Sequence, residues 1–262
     1  VAIAAVAALA VSALPAQAFT PHMETGVSAT TIKLGVTVPL TGSAAPGYNK
    51  VPYGMKAYFD YVNDNGGVNG RKIQLVIKDD GYSPTLAKAA TNDLILKDKV
   101  FALVGTLGTA NNEATTKFVN DKKVPRLFVN TGFSGFADTK KYPTTFMYLP
   151  SYIMEAKVMP KYIKDKFPTK KVGILYQDDD FGKDGLAGFK AAGLTFVAGG
   201  TQKYASLSQA TVGLTTQMTA LKTSGAEVII IFGVTSATAV ALRTAAALGY
   251  GTTWGPQFIM GS

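Results

Sequence analysis

The side chains able to do chemistry in this chain gather where apolar runs meet small, hydroxyl and acidic residues. One such junction runs from Phe101 to Thr116: an apolar run to Val104, then Gly105, a loop with Gly108 and Thr109, and a polar segment opening on Asn111 and Asn112. That pattern is a buried strand handing over to a helix. The first backbone N–H groups of a helix have no partner within it, and the helix dipole adds partial positive charge there. Such a junction can hold a small anion, a carboxylate included, with the Thr109 hydroxyl as a further donor. The competing reading is that Thr109 or Asn111 only caps the helix.

Other chemistries find little support. His22 is the only histidine and there is no cysteine, so the body of the chain can build neither a Ser-His-Asp arrangement nor a thiolate nucleophile. Gly105-Thr106-Leu107-Gly108 lacks the lysine of a phosphate-binding loop, and no His/Cys/carboxylate cluster suits a metal. Asp178, Asp179 and Asp180 cannot all face one site and read as a solvated loop. Asp79 and Asp80 read as closing a strand. The expectation is a protein that is not an enzyme and needs no cofactor.

The elements around these residues alternate. Strands are expected at Thr31–Val38, Lys72–Lys78, Phe101–Val104 and Val124–Val129, with helices at Tyr53–Asn65, Pro84–Leu96 and Asn111–Asn120 between them. Short connections and this order argue for a doubly wound parallel sheet. Ligands of such sheets sit outside the carboxyl ends of the strands, so the loops 39–49, 105–111 and 130–134 converge on one rim. After Leu149 the pattern restarts: a helix over Ser151–Phe167, a strand over Lys171–Tyr176, and a loop from Gln177 into a helix through Ala192. Extended chain over Phe196–Tyr204 follows, then a helix over Gln209–Thr223, a buried strand over Val228–Phe232, a helix over Ser236–Leu248 and a short strand at Gln257–Met260. Two α/β lobes facing a cleft are the expected fold class, with a crossing at Thr145–Leu149.

With 47% hydrophobic content over 262 residues the chain can bury a sizeable core. Its net charge of +9 is carried by lysine, Arg71, Arg126 and Arg243 being the only arginines. Basic residues outnumber acidic ones 15 to 10 up to residue 148 and 11 to 7 after it, so the excess is spread evenly. A nucleic-acid partner would call for arginine-rich basic residues on one face, and none is expected. Residues 1–18 read as part of a signal peptide: an uncharged apolar run to Leu14, then Ala16-Gln17-Ala18 as a cleavage signal. The missing initiator methionine and basic segment suggest a start lost upstream. The mature protein is expected from about Phe19, soluble and periplasmic.

Ile32-Lys-Leu-Gly-Val-Thr-Val-Pro-Leu-Thr-Gly42, Asn65-Gly-Gly-Val-Asn-Gly70 and Asp79-Asp80-Gly81 occur in that order. Together with Val104–Asn111 and Leu175-Tyr-Gln-Asp-Asp-Asp-Phe-Gly-Lys-Asp-Gly185, they resemble the leucine/isoleucine/valine-binding proteins, the periplasmic substrate-binding proteins of ABC importers. The resemblance covers the whole mature chain. It implies a type I periplasmic binding fold: lobe one over 19–148, lobe two over 149–262, ligand between them, and closure about a hinge before docking on the membrane permease. Family members cross between lobes three times. The resemblance therefore implies that the returning segment of lobe one and the end of lobe two lie beyond Ser262.

The resemblance also implies roles for individual residues. Thr109, beside Gly108, falls where a hydroxyl grips the ligand carboxylate. Thr131, Gly132 and Phe133 fall on a second contact loop, Phe133 standing where amino-acid binders can have threonine, with lobe packing as its alternative. Phe181 falls where relatives cover the ligand with tyrosine, the alternative being an aromatic that pins the acidic loop. Val234 replaces another tyrosine of the leucine-type binders, and Tyr48 lies near the cleft entrance. The acidic residue that pairs with a ligand ammonium falls at or just past Ser262. The implied ligand is a branched-chain amino acid or similar small carboxylate, taken up by a monomer; aromatic acids, amides, urea and a receptor ectodomain are the alternatives.

Overall fold

The computed structural model describes residues 24–205, 213–250 and 257–261. The expected signal segment 1–18 and His22 lie outside them, as does the start of the helix expected from Gln209. The described elements form two all-parallel sheets. The first contains β1 (Thr31–Val38), β2 (Lys72–Asp79), β3 (Ala102–Val104), β4 (Arg126–Val129) and β5 (Thr145–Met147), in the order β2-β1-β3-β4-β5. The second contains β6 (Val172–Gln177), β7 (Thr201–Tyr204), β8 (Val228–Phe232) and β9 (Gln257–Gly261), in the order β7-β6-β8-β9.

The helices connect successive strands. In lobe one they are the short α1 (Ala45–Tyr48), α2 (Val51–Asp64), α3 (Pro84–Asn92) and α4 (Thr109–Asp121). In lobe two they are α5 (Tyr152–Lys166), α6 (Asp180–Ala191), α7 (Thr215–Thr223) and α8 (Thr235–Ala247). Three start on side-chain caps that satisfy orphan amides: Ser83 accepts from Leu86 N, Ser151 from Met154 N and Asp179 from Gly182 N. β8 is Val-Ile-Ile-Ile-Phe and is buried along its whole length, as a central parallel strand covered on both faces must be.

In each sheet the strand order reverses once, between β1 and β3 and between β6 and β8. A crevice opens at the carboxyl ends of the strands at such a reversal. In lobe one it lies between the loops after Val38 and after Val104, and in lobe two between those after Gln177 and after Phe232. Residues from both crevices line one shared cavity. The chain passes from β5 to α5 along one side of it, where Tyr152 N donates to Gly132 O at 2.7 Å.

Candidate functional site

A cavity of about 230 Å³ lies between the lobes, lined by Tyr48, Tyr82, Leu107, Gly108, Asn130, Leu149, Tyr152, Phe181 and Val234. Its polar end is the start of α4. Gly108 occupies the cap position with φ +95° and no capping side chain, so the helix begins at Thr109 rather than Asn111. Neither Thr109 nor Asn111 is the cap, because only glycine takes this backbone conformation without strain. A Cβ here would also stand 3.0 Å from the Tyr82 ring. The cap position without a side chain leaves amides of the first turn free of a capping partner.

Behind Gly108, Thr109 and Thr131 are each only 1% exposed, and their hydroxyls share a hydrogen bond of 2.7 Å. The Thr131 hydroxyl is also 3.2 Å from the Tyr152 phenol. Three hydroxyls, two from lobe one and one from lobe two, thus meet at one end of the cavity. Burial raises the Tyr152 pKa, against the downward pull of Thr131, Gly132 and Thr109, so the phenol stays protonated and can donate.

The remaining wall is apolar and largely aromatic. Tyr48 and Tyr82 pack against the cores of both lobes, bridging the cleft. Tyr82 has φ +59°, and Asp80 holds that conformation by accepting from Tyr82 N at 2.9 Å. Phe181 sits in the first turn of α6, 3% exposed, with its ring centroid 4.8 Å from Tyr152 and 5.0 Å from Phe232. It therefore belongs to the lobe-two core and presents one edge of that core to the cavity. Gly182 beside it has no room for a Cβ, which would stand 2.0 Å from Gln177 O; this lets α6 lie directly on the end of β6.

Tyr48, Gly108, Phe181 and Val234 thus line the cavity, and Thr109 and Thr131 stand behind its polar end. Gly132 packs against the crossing segment, where a Cβ would stand 2.6 Å from Pro150 O. Phe133 turns into lobe one against Phe136, ring centroids 5.3 Å apart, and does not line the cavity. Tyr82, Tyr152, Leu107, Asn130 and Leu149 complete the lining; Leu107 and Asn130 fall in the loops 105–111 and 130–134 expected at the rim, whereas Tyr82, Tyr152 and Leu149 were not singled out from the sequence. The signal available for Tyr82 was its place after the Asp79-Asp80-Gly81 turn at a strand's carboxyl end.

The acidic residues have separate duties. Asp79 accepts from Leu40 N at 2.8 Å, Thr41 N at 3.3 Å, Gly81 N at 2.9 Å and the Thr41 hydroxyl, fixing the loop after β1. Burial would raise its pKa, but hydrogen bonds from Thr41, Gly81 and Leu40 hold it below the usual value. Asp80 is fully buried, and burial pushes it up to about 6. Asp178 pairs with Lys203 at 2.7 Å and Lys183 at 3.7 Å, whereas Asp179 caps α6. Across the cleft rim, Ser134 donates its N–H at 2.8 Å and its hydroxyl at 2.6 Å to the Asp184 carboxylate, joining lobe one to lobe two. A larger groove of about 590 Å³ runs along α5, but Met154, Val158 and Met159 make its wall mainly apolar. It gathers no comparable set of donors.

Residues 31–260 match the family model described as "Periplasmic binding protein". The chain belongs to the periplasmic binding protein family. Leu/Ile/Val-binding protein homolog 3 of Brucella melitensis is 28% identical over 207 residues, covering 77% of this chain and 54% of that protein. A substrate-binding periplasmic protein from Ralstonia solanacearum superposes with a TM-score of 0.76 at 27% identity, over 87% of this chain and 63% of its own. The branched-chain amino acid transporter substrate binding protein of Streptococcus pneumoniae, solved with isoleucine, gives 0.65 at 25% identity, over 77% and 57%. The chain spans about half the length of the curated relatives it matches. These likenesses set it in the type I periplasmic binding family to which the Leu/Ile/Val-binding protein homologues belong, with the fold expected from the sequence.

Proposed function

We propose that the chain is the ligand-capturing part of an extracytoplasmic substrate-binding protein of an ABC importer. It takes a branched-chain amino acid or similar small carboxylate in the interlobe cleft and delivers it to a membrane permease, without itself catalysing a reaction. The observation that carries this reading is the cavity built from both topological switch points, with the α4 start and three hydroxyls at one end and apolar walls elsewhere. In this reading the first-turn amides after Gly108, with Thr109, Thr131 and Tyr152, receive the carboxylate, and Tyr48, Tyr82, Phe181 and Val234 cover the ligand body. Gly132 and Phe133 shape the loop behind them. The lobes divide at residues 148–149, and the protein works as a monomer beyond the inner membrane. Among the described residues no helix is long and apolar enough to cross a membrane.

A second reading is uptake of aromatic acids. Four aromatic rings, those of Tyr48, Tyr82, Tyr152 and Phe181, border the cavity, and stacked rings contribute about 0.5–1.5 kcal/mol beyond area burial. A thermal-shift screen against amino acids, aromatic carboxylates and amides separates the two. A ligand that binds only the folded state at a hundred times its Kd stabilises by about 2.7 kcal/mol. Stabilisation by leucine, isoleucine or valine supports the first reading and by benzoates the second. No shift with any carboxylate contradicts both.

A further inference from the structure

Arg126 opens β4 with its side chain fully buried. Its Nη1 donates to Asn112 O at 2.7 Å, to Thr115 Oγ1 at 3.0 Å and to Asn112 Oδ1 at 3.3 Å. Its Nη2 donates to Thr116 Oγ1 at 2.8 Å and Thr145 Oγ1 at 2.9 Å, and Nε to Thr145 Oγ1 at 3.1 Å. The guanidinium carbon also lies 5.7 Å from the Phe136 ring centroid. Every acceptor is neutral; among the described residues no carboxylate is bonded to this cation. Burial lowers its pKa only to about 10, so it is charged at neutral pH.

A buried charge without a counter-ion is costly, and a network of hydroxyls could be tied together by a neutral amide instead. The charge has a destination. Asn112, Thr115 and Thr116 belong to the first two turns of α4, and one turn spans about 5.4 Å. The guanidinium therefore stands on the order of 9 Å from an anion received at Gly108–Thr109. Asn112 also links the two mechanically. Its Nδ2 donates to Gly108 O at 2.8 Å and Thr106 O at 3.0 Å, and its Oδ1 accepts from Thr106 Oγ1 at 2.6 Å. These bonds give the Thr106 and Gly108 carbonyls donors of their own and tie the loop to the first turn of α4.

We propose that Arg126 is a positioning and specificity-determining residue, a remote counter-ion whose buried charge makes the cleft select anions, transmitted through Asn112 and the first turns of α4. The proposal rests on the reading of the cleft as a carboxylate site. Two unit charges about 9 Å apart at an effective dielectric of about 20 attract enough to favour an anion over its neutral isostere roughly ten- to twentyfold. Burial shields this attraction from salt.

The test is the ratio of amide Kd to carboxylate Kd, measured by calorimetry with leucine and leucinamide and with benzoate and benzamide. Because both probes meet the same preparation, the ratio is insensitive to the folded fraction. Wild type is expected to prefer the carboxylate. Arg126→Gln should cut that preference roughly tenfold, whereas Arg126→Lys should retain most of it despite a lower melting temperature. Arg126→Met, a second neutral side chain, gives the same reading if glutamine does not fold. An unchanged ratio in the neutral variants overturns the proposal and leaves Arg126 a structural hub. A wild type without carboxylate preference overturns the carboxylate reading of the cleft and this proposal with it, so the two failures are told apart by the wild-type ratio alone.

Discussion

The two lobes share a topology but are held together differently. Lobe two has one continuous apolar core, from Ile163 on α5 through β6 and β8 to Ala245 on α8, with Phe181, Phe189 and Phe232 at its centre. Among its described residues lobe one has three smaller apolar clusters and buries a polar set, Asp80, Thr106, Asn111, Asn112, Thr115, Thr116, Arg126 and Thr145. Apolar burial stabilises without direction, whereas hydrogen bonds fix positions. In the proposed reading lobe one supplies most of the polar end of the site, Tyr152 joining it from lobe two, and the aromatic wall comes from both lobes, Tyr48 and Tyr82 from one and Phe181 from the other.

The largest expected effect tests the apolar half. Phe232 is fully buried, and its ring centroid lies 5.0 Å from Phe181, 5.6 Å from Tyr152 and 5.8 Å from Phe189. Phe232→Ala should cost about 3–5 kcal/mol in chemical denaturation. A loss below about 1 kcal/mol would show that this core is not closely packed.

The polar half should respond to pH instead. Asp80 has a folded pKa of about 6, above its ordinary value of 3.8. The folded state therefore binds this proton more tightly than the unfolded one. Its contribution is fully present below pH 3.8 and is lost as pH rises through about 6. The loss is up to about 3 kcal/mol at 1.36 kcal/mol per pKa unit. Asp80→Asn keeps an acceptor for Tyr82 N but cannot titrate. It should be more stable than wild type at neutral pH, with less loss of stability between pH 4 and pH 7. Equal pH slopes for the two proteins would remove Asp80 from the account.

Much of the fold was legible because parallel strands buried on both faces leave uninterrupted apolar runs, and Val228–Phe232 is the clearest. The start of α4 was misplaced by two residues because a positive φ at Gly108 is a property of the folded loop. Ser83 and Ser151, by contrast, announce their helices by residue type. Within the site, Thr109 stood at a strand end where the pattern drew attention to it, and Thr131 was named through the family resemblance. Tyr82 and Tyr152 reach the cavity through tertiary placement, one by a left-handed turn and the other across the lobe crossing, which local pattern does not encode. Arg126 did leave a trace, a lone cation inside the apolar strand Val-Pro-Arg-Leu-Phe-Val.

A smaller effect is expected at the junction of the lobes. Ser134→Ala removes the hydroxyl donor to Asp184 while leaving the backbone donor in place. Hydrogen bonds to charged groups contribute about 1.5–3 kcal/mol, so about 2 kcal/mol of closure energy should go. Ligand affinity should fall by at least tenfold, and solution scattering should show a more open unliganded form. Unchanged affinity and scattering would mean that this contact does not hold the lobes together.

If the start of α4, backed by the buried Thr109–Thr131 hydroxyl pair, receives a ligand carboxylate, Thr109→Val should weaken binding of that ligand selectively. Valine keeps the shape and removes the hydroxyl that bonds Thr131. Calorimetry on wild type and variant, with leucine or benzoate and the corresponding amide, should show carboxylate affinity falling about tenfold, or about 1.4 kcal/mol, and amide affinity falling less. Unchanged affinity for both probes, with only the melting temperature lowered, would contradict the account and leave the Thr109–Thr131 pair as part of the lobe-one framework.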